Sequence, residues 1–174
     1  DVSALQFKSV GEAWGNNECS VPAGEAQTPE AAELPLVAGG GDNIAAYTTH
    51  RYYSLTLDKS APKVIKNFSF NTLGVIGDAT PTGWDSDTDM QFNPEKQRFY
   101  ADLTLVDGTI KFRANDAWDV NWGGAAGVLV SGGDNITVTA GNYRIYVNLN
   151  DPANPTYELV AGMYGKDEPV GGGT

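Results

Sequence analysis

The stretch Gln97–Leu105, QRFYADLTL, alternates strictly between apolar and polar residues. In an extended chain Phe99, Ala101, Leu103 and Leu105 fall on one side, and Arg98, Tyr100, Asp102 and Thr104 on the other. That period of two marks a half-buried strand. Asn142–Asn150, NYRIYVNLN, does the same: Tyr143, Ile145, Val147 and Leu149 face inward, and Arg144, Tyr146 and Asn148 outward. Shorter candidates lie around these two, at Leu73–Ile76, Asp89–Phe92, Ile110–Ala114, Gly127–Val130, Asn135–Thr139 and Thr156–Val160. Between them stand the turn pairs Asp107-Gly108, Gly132-Gly133, Ala140-Gly141, Asp151-Pro152 and Asn154-Pro155. No segment carries a helical period. Short strands about ten residues apart, in a unit of roughly 90 residues, predict an all-β chain of immunoglobulin-like antiparallel β-sandwich modules in tandem.

Composition narrows the function. The 174 residues are 41% apolar and 19% charged, with 21 Gly and 9 Pro, enough for a core but poor in helix formers. The formal charge of -11 repels phosphate backbones, which argues against nucleic acid and anionic lipid as partners. No apolar run is long enough to span a membrane as a helix. No basic and apolar leader opens the sequence, which reads as a processed chain or a piece of a longer one. One cysteine, Cys19, and one histidine, His50, support neither a disulfide framework, a zinc site nor a Cys/His nucleophile pair. The P-loop and the GxSxG elbow are missing, and the carboxylates are scattered, so no catalytic constellation, metal or cofactor is expected. Asp85, Asp87 and Asp89 begin like a calcium loop, but Met90 replaces the required Gly and Lys96 the closing Glu.

An internal repeat organises the chain. Phe7, Lys8 and Glu12-Ala13-Trp14 answer Phe112, Arg113 and Asp116-Ala117-Trp118. Gly40-Gly41-Asp42-Asn43-Ile44 answers Gly132-Gly133-Asp134-Asn135-Ile136, and Leu55-Thr56-Leu57-Asp58 answers Val147-Asn148-Leu149-Asn150. Phe7 and Asp42 are 35 positions apart, Phe112 and Asp134 are 22, so the first copy carries 13 extra residues. Residues 1–70 thus read as the second half of a sandwich unit, with an inserted loop at about 19–38. Residues 71–162 read as a complete unit, and 163–174 as a flexible Gly-rich tail. The half unit is expected to be a fragment of a longer protein, or to be completed by strands from another chain.

All four tryptophans, Trp14, Trp84, Trp118 and Trp122, stand among Gly, Asn and Asp, which predicts indoles open to water. An exposed indole offers a flat apolar face and one N–H donor, the complement of a pyranose ring with its C–H face and hydroxyl rim. Trp84 and Trp122 are the leading candidates. Trp118, within Ala117-Trp118-Asp119-Val120, is almost equally read as a core residue, since such sandwiches often bury one Trp. Lys111 and Arg113 share a strand face, and Asn115 and Asn121 lie in the loop after it.

The run Leu73-Gly74-Val75-Ile76-Gly77-Asp78-Ala79-Thr80-Pro81-Thr82-Gly83-Trp84-Asp85 resembles the opening of the carbohydrate-binding modules of SusE/SusF-type outer-membrane lipoproteins of Bacteroidetes. Ile110–Trp118 and the Gly-Gly-Asp-Asn-Ile strand fit the same family. The resemblance implies immunoglobulin-like modules at the cell surface, lipid-anchored to the outer membrane elsewhere in the full-length protein. They would bind starch or a related polysaccharide without cleaving it, beside a glycan importer complex. It also implies that Trp84 and one of Trp118 and Trp122 form an aromatic arc, with Arg98, Lys111 or Arg113 as the basic contributor. Cys19 does not fit the family's anchor cysteine. The competing expectation is a structural or adhesin subunit that associates with other copies of itself.

Overall fold

A computed structural model describes residues 19–24, 27, 31–38, 41–45, 47, 49–58, 60 and 62–167. Among them the regular elements are β-strands and one turn of 3-10 helix at Ala161–Met163. Every strand pairing is antiparallel. The chain divides into two compact units, Asp1–Phe70 and Asn71–Thr174.

The first unit contains β1 (Cys19–Ser20), β2 (Glu33–Pro35), β3 (Val37–Ala38), β4 (Tyr52–Asp58) and β5 (Val64–Phe70). β1 pairs with β3, and the other three form a sheet in the order β2-β5-β4. Its core is Val21, Leu34, Leu36, Ile44, Tyr47 and Ile65, to which alternate residues of β4, Tyr53, Leu55 and Leu57, add their apolar sides.

The second unit holds β6 (Leu73–Ile76), β7 (Thr88–Asp89), β8 (Gln91–Asn93), β9 (Arg98–Leu105), β10 (Gly108–Ala114), β11 (Asn121–Ala125), β12 (Val128–Ser131), β13 (Ile136–Val138), β14 (Gly141–Asn148) and β15 (Thr156–Val160). They form one sheet in the order β7-β6-β10-β11-β12-β15-β14-β9-β8, with β13 branching onto β10. The two ends of this order, β7 and β8, are separated in sequence only by Met90, whose N–H donates to the Leu73 carbonyl at 2.8 Å. A single extended segment therefore leaves one edge and joins the other, and the sheet curls into a nearly closed barrel. The seam between β12 and β15 is short: Val128 pairs with Thr156, flanked by Leu129 N–H to Pro155 O and Tyr157 N–H to Gly127 O, both 3.0 Å.

The alternation read in Gln97–Leu105 holds, with Phe99, Ala101, Leu103 and Leu105 all buried. In β14, Ile145 and Val147 are inside, but Arg144 and Tyr146 are also buried, at 4% and 5% exposure, where the pattern predicts a solvated face. Polar packing covers that face. Arg144 donates to Asp102 at 2.7 and 2.8 Å, Arg98 lies 3.7 Å from the Tyr146 ring centroid, and the Gly165 N–H donates to Asp102 at 2.8 Å. The start of the expected tail is therefore hydrogen-bonded to the sheet; residues 168–174 lie outside the described residues.

The repeat reappears as a shared hydrogen-bond ladder. Tyr53 opposes Ser69 and Leu55 opposes Asn67, as Ile145 opposes Leu159 and Val147 opposes Tyr157. Asn67 N–H bonds Ala32 O as Tyr157 N–H bonds Gly127 O, and Val21 N–H bonds Asp42 O as Gly124 N–H bonds Asp134 O. Residues 1–18, including Phe7 and Trp14, lie outside the described residues. The insertion needs correction: β1, β2 and β3 fall inside 19–38, and most of the extra residues lie in sequence between Val21 and Ala32. Equivalent ladder partners stand eleven residues apart there, against three for Gly124 and Gly127.

Trp122 also needs correction. It sits in β11, opposite Phe112, and is 5% exposed. Phe112 is wholly buried, and directly opposed residues share a face, so the register sends the indole into the core. Its glycine neighbours suggested a loop but serve close backbone approach: a Cβ on Gly123 would run into the Asp134 carbonyl, and one on Gly124 into the Val128 carbonyl.

Two predictions follow from the packing. Trp122→Ala removes a buried aromatic and should cost about 3–5 kcal/mol in urea denaturation. Asp102 is held below the usual carboxylate range by its hydrogen bonds from Arg144, the largest cause, and Gly165. Its contribution is thus present above the unfolded pKa of about 3.9 and lost as pH falls through the lower folded value. Asp102→Asn should destabilise the fold at neutral pH and flatten the acid limb of a thermal-melting series; an unchanged limb would contradict the pairing.

Candidate functional site

The outer face of β6 and β10 carries the site. Lys111 opposes Ile76, itself fully buried, and Arg113 opposes Gly74; Lys111 and Arg113 alternate with the buried Phe112 and share the other side of β10, and Asn121 of β11 stands beside Arg113. Asp87 reaches this face from the segment leading into β7. The Arg113 Nε lies 2.8 and 2.9 Å from its two carboxylate oxygens, and NH2 lies 2.5 Å from one of them. Both side chains are nearly sealed from water, at 10% and 1% exposure. Asp87 raises the Arg113 pKa, chiefly through its hydrogen bond. Gly74 makes room for the pair: a Cβ there would sit 2.6 Å from Asp87 Cβ and 2.8 Å from Oδ2.

Trp118 lies over this ion pair. The Arg113 guanidinium is 4.7 Å, and the Lys111 ammonium 5.9 Å, from its ring centroid, both within cation–π range. Its loop is tightly built. Asn115 and Asp116 take left-handed conformations, at φ 56° and 53°, and Ala117 N–H closes the turn on Ala114 O at 3.2 Å. The Asn115 side-chain carbonyl accepts from the Asn71 and Thr72 N–H groups at 2.7 and 3.3 Å, and Asn121 Nδ2 donates to the Trp118 carbonyl at 2.8 Å. Both amides therefore act as scaffold for the loop.

Trp84 arrives on a second tied loop. Gly77 N–H bonds Gly83 O at 3.1 Å, Thr80 Oγ1 donates to Gly77 O at 2.9 Å, and Thr82 Oγ1 donates to Ser86 O at 2.7 Å. Gly83, at φ 60°, supplies the left-handed turn before the indole. The rings of Trp84 and Trp118 meet with centroids 6.1 Å apart and planes 39° apart, and the two residues are 41% and 47% exposed. They form an angled apolar platform, set on hydrogen-bonded loops and floored by cations.

The structure thus brings together Trp84, Trp118, Lys111 and Arg113, with Asn115 and Asn121 in support. Trp122 faces the core, and Arg98 lies on β9 against Tyr146, in the opposite half of the sheet order. Sequence reasoning missed Asp87 as the partner of Arg113; Gly74 opposite a strand arginine was the available signal. In the Asp85-Asp87-Asp89 run, Asp87 is engaged by Arg113. Among the described residues no three carboxylate, His or Cys side chains converge as metal ligands. Burial first, then the neighbouring Asp116 and Asp87 carboxylates, push the Asp89 pKa up. Scanned against models of known protein families, the chain matches none, and no curated protein is significantly similar to it.

Gly74→Ala should force Asp87 off Arg113. Leaving a buried charge without its partner predicts a loss of about 3–5 kcal/mol in urea denaturation. A stability within error of the parent would show that the pair does not hold this face together.

Proposed function

We propose that the second unit is a non-catalytic glycan-binding module that stacks pyranose rings on Trp84 and Trp118. The observation that carries this reading is the exposed, angled indole pair on two hydrogen-bonded loops. Such a platform needs little ordering on binding, and preorganisation lowers the cost of association. The 39° tilt favours a curved chain, whose successive sugar faces are themselves inclined, over a flat one. This supports starch or another α-glucan as ligand. Lys111, which makes no ion pair with a described residue, is placed to donate to a sugar hydroxyl. Arg113 contributes by backing Trp118.

The sequence resemblance to SusE/SusF-type modules points the same way. On that reading the two halves of the sheet order, β6-β10-β11-β12 and β15-β14-β9-β8, are the leaves of an immunoglobulin-like sandwich. The protein would work at the cell surface, anchored to the outer membrane, and would hand polysaccharide to an importer. Single shallow sites bind weakly, so serial units would gain by avidity.

Trp84→Ala and Trp118→Ala should each weaken retention on insoluble starch about tenfold, and the double variant should abolish it, with the melting temperature close to that of the parent. Full retention by a folded double variant would refute the site.

A further inference from the structure

We propose that the fork between β11 and β13 is a second ligand site, built for one neutral sugar unit and separate from the indole pair. β10 carries both strands on one side, β11 at Phe112 and Arg113 and β13 at Gly108–Ile110. Where β11 turns away toward β12, the sheet splits around a groove of about 530 Å³. That volume falls within the range of about 300–1,000 Å³ usual for small-molecule sites. Gly124, Ala125 and Gly133 give one wall no side chain larger than a methyl group, while Tyr157, half-buried and 6.1 Å from the Phe112 ring, supplies an aromatic one.

The polar lining is idle. Asp134, Asn135 and Thr137 edge the groove as exposed residues, and their side chains make no hydrogen bond or ion pair with a described residue. Elsewhere in this unit such residues serve the backbone: Asp78 accepts from Thr109 N–H, Asp107 from Ala140, Asn148 from Asn150 and Asp151 from Ala153.

The first unit shows what these positions hold when filled. There Gly24 and Gln27, within the inserted stretch, bond to the equivalent segment. Gly24 N–H donates to Asp42, the counterpart of Asp134, at 2.7 Å. The Gln27 side chain donates to Asn43 O at 2.7 Å and accepts from Ala45 N–H at 2.6 Å, at the counterparts of Asn135 and Thr137. A paired donor and acceptor from within the chain occupies the place. In the second unit the same turn is cut to Ala126 and Gly127, and the place stands open.

The turn itself keeps it so. Ala126 is held at φ 51° and Gly127 at 83°, where the first position favours Asn, Asp or Gly. Alanine is strained there, and places only a methyl group at the lip of the groove. No Lys or Arg lines the groove, and Asp134 repels anions. Adjacent hydroxyls of a neutral sugar supply the donor and acceptor that Gln27 supplies in the first unit, and a pyranose C–H face suits Tyr157.

The test is an amide NMR titration of the full chain with D-glucose, D-galactose and maltose, repeated on the Trp84→Ala/Trp118→Ala double variant and on Ala126→Asn. At least one sugar should give saturable shifts at Gly124, Gly133 and Asn135 in both the parent and the double variant. Ala126→Asn should raise the melting temperature by relieving the strained turn, yet weaken binding at these residues about fivefold or more by narrowing the lip. The proposal is overturned if none of the three sugars shifts these amides, or if Ala126→Asn leaves their titration unchanged. Shifts confined to the Trp84 and Trp118 loops would also overturn it, while leaving the outer-face reading intact.

Discussion

A nearly dry ion pair between Arg113 and Asp87 holds together the face of the second unit that carries Trp84 and Trp118. An arginine on the outside of a strand would ordinarily lie in water. Here Gly74, directly across the ladder, leaves a gap that the Asp87 side chain fills, and Trp118 closes over the guanidinium. Taking these charges out of water is costly and is offset only by close, multiple hydrogen bonds, which the 2.5–2.9 Å contacts provide. The consequence is positional. The strand bearing Arg113, the segment bearing Asp87 and the loop bearing Trp118 are fixed to one another, and Trp84 meets Trp118 from a loop with its own internal bonds. An exposed indole pair on loops is thereby tied to the sheet.

The same sheet uses glycine for a second purpose. Gly123 and Gly124 lie where the Asp134 and Val128 carbonyls pass too close for a side chain, and Gly41 meets Val21 and Ser20 similarly in the first unit. These contacts let the chain after β12 cross β11 and leave it at the fork. The two copies of this crossing differ mainly in the turn before it. In one copy Gly24 and Gln27 bond the crossing segment at the Asp42 carboxylate, the Asn43 carbonyl and the Ala45 N–H. The other has a turn of two residues and leaves that segment's side chains unbonded. A change in turn length has thus turned a structural contact into an open groove.

Much of the fold was legible in the sequence, because period-two alternation reports burial directly. Gln97–Leu105 was placed by that signal, and the short strands at Leu73–Ile76 and Thr156–Val160 by the turn residues around them. The repeat was visible as matched residues and recurs as matched hydrogen bonds. The site was half legible. Trp84 and the shared face of Lys111 and Arg113 were read from local context, but Trp118 and Trp122 were ranked the wrong way round. Asn121–Ala125 looks like a loop because its glycines were taken for flexibility, whereas they mark backbone crossing. Once that segment is a strand, pairing with Phe112 sends Trp122 inward, and no local pattern states the pairing. Arg144 and Tyr146 show the same limit. Their outward phase was correct, but the ion pair and the chain end that cover them come from distant residues.

The most direct measurement is the movement of the four indole N–H signals in a ¹H–¹⁵N spectrum as soluble maltoheptaose is added to the full chain. The account predicts that the Trp84 and Trp118 signals shift together along one saturation curve, while the Trp122 signal stays in place. Four stationary indoles, or a response from Trp122 without Trp84 and Trp118, would contradict it.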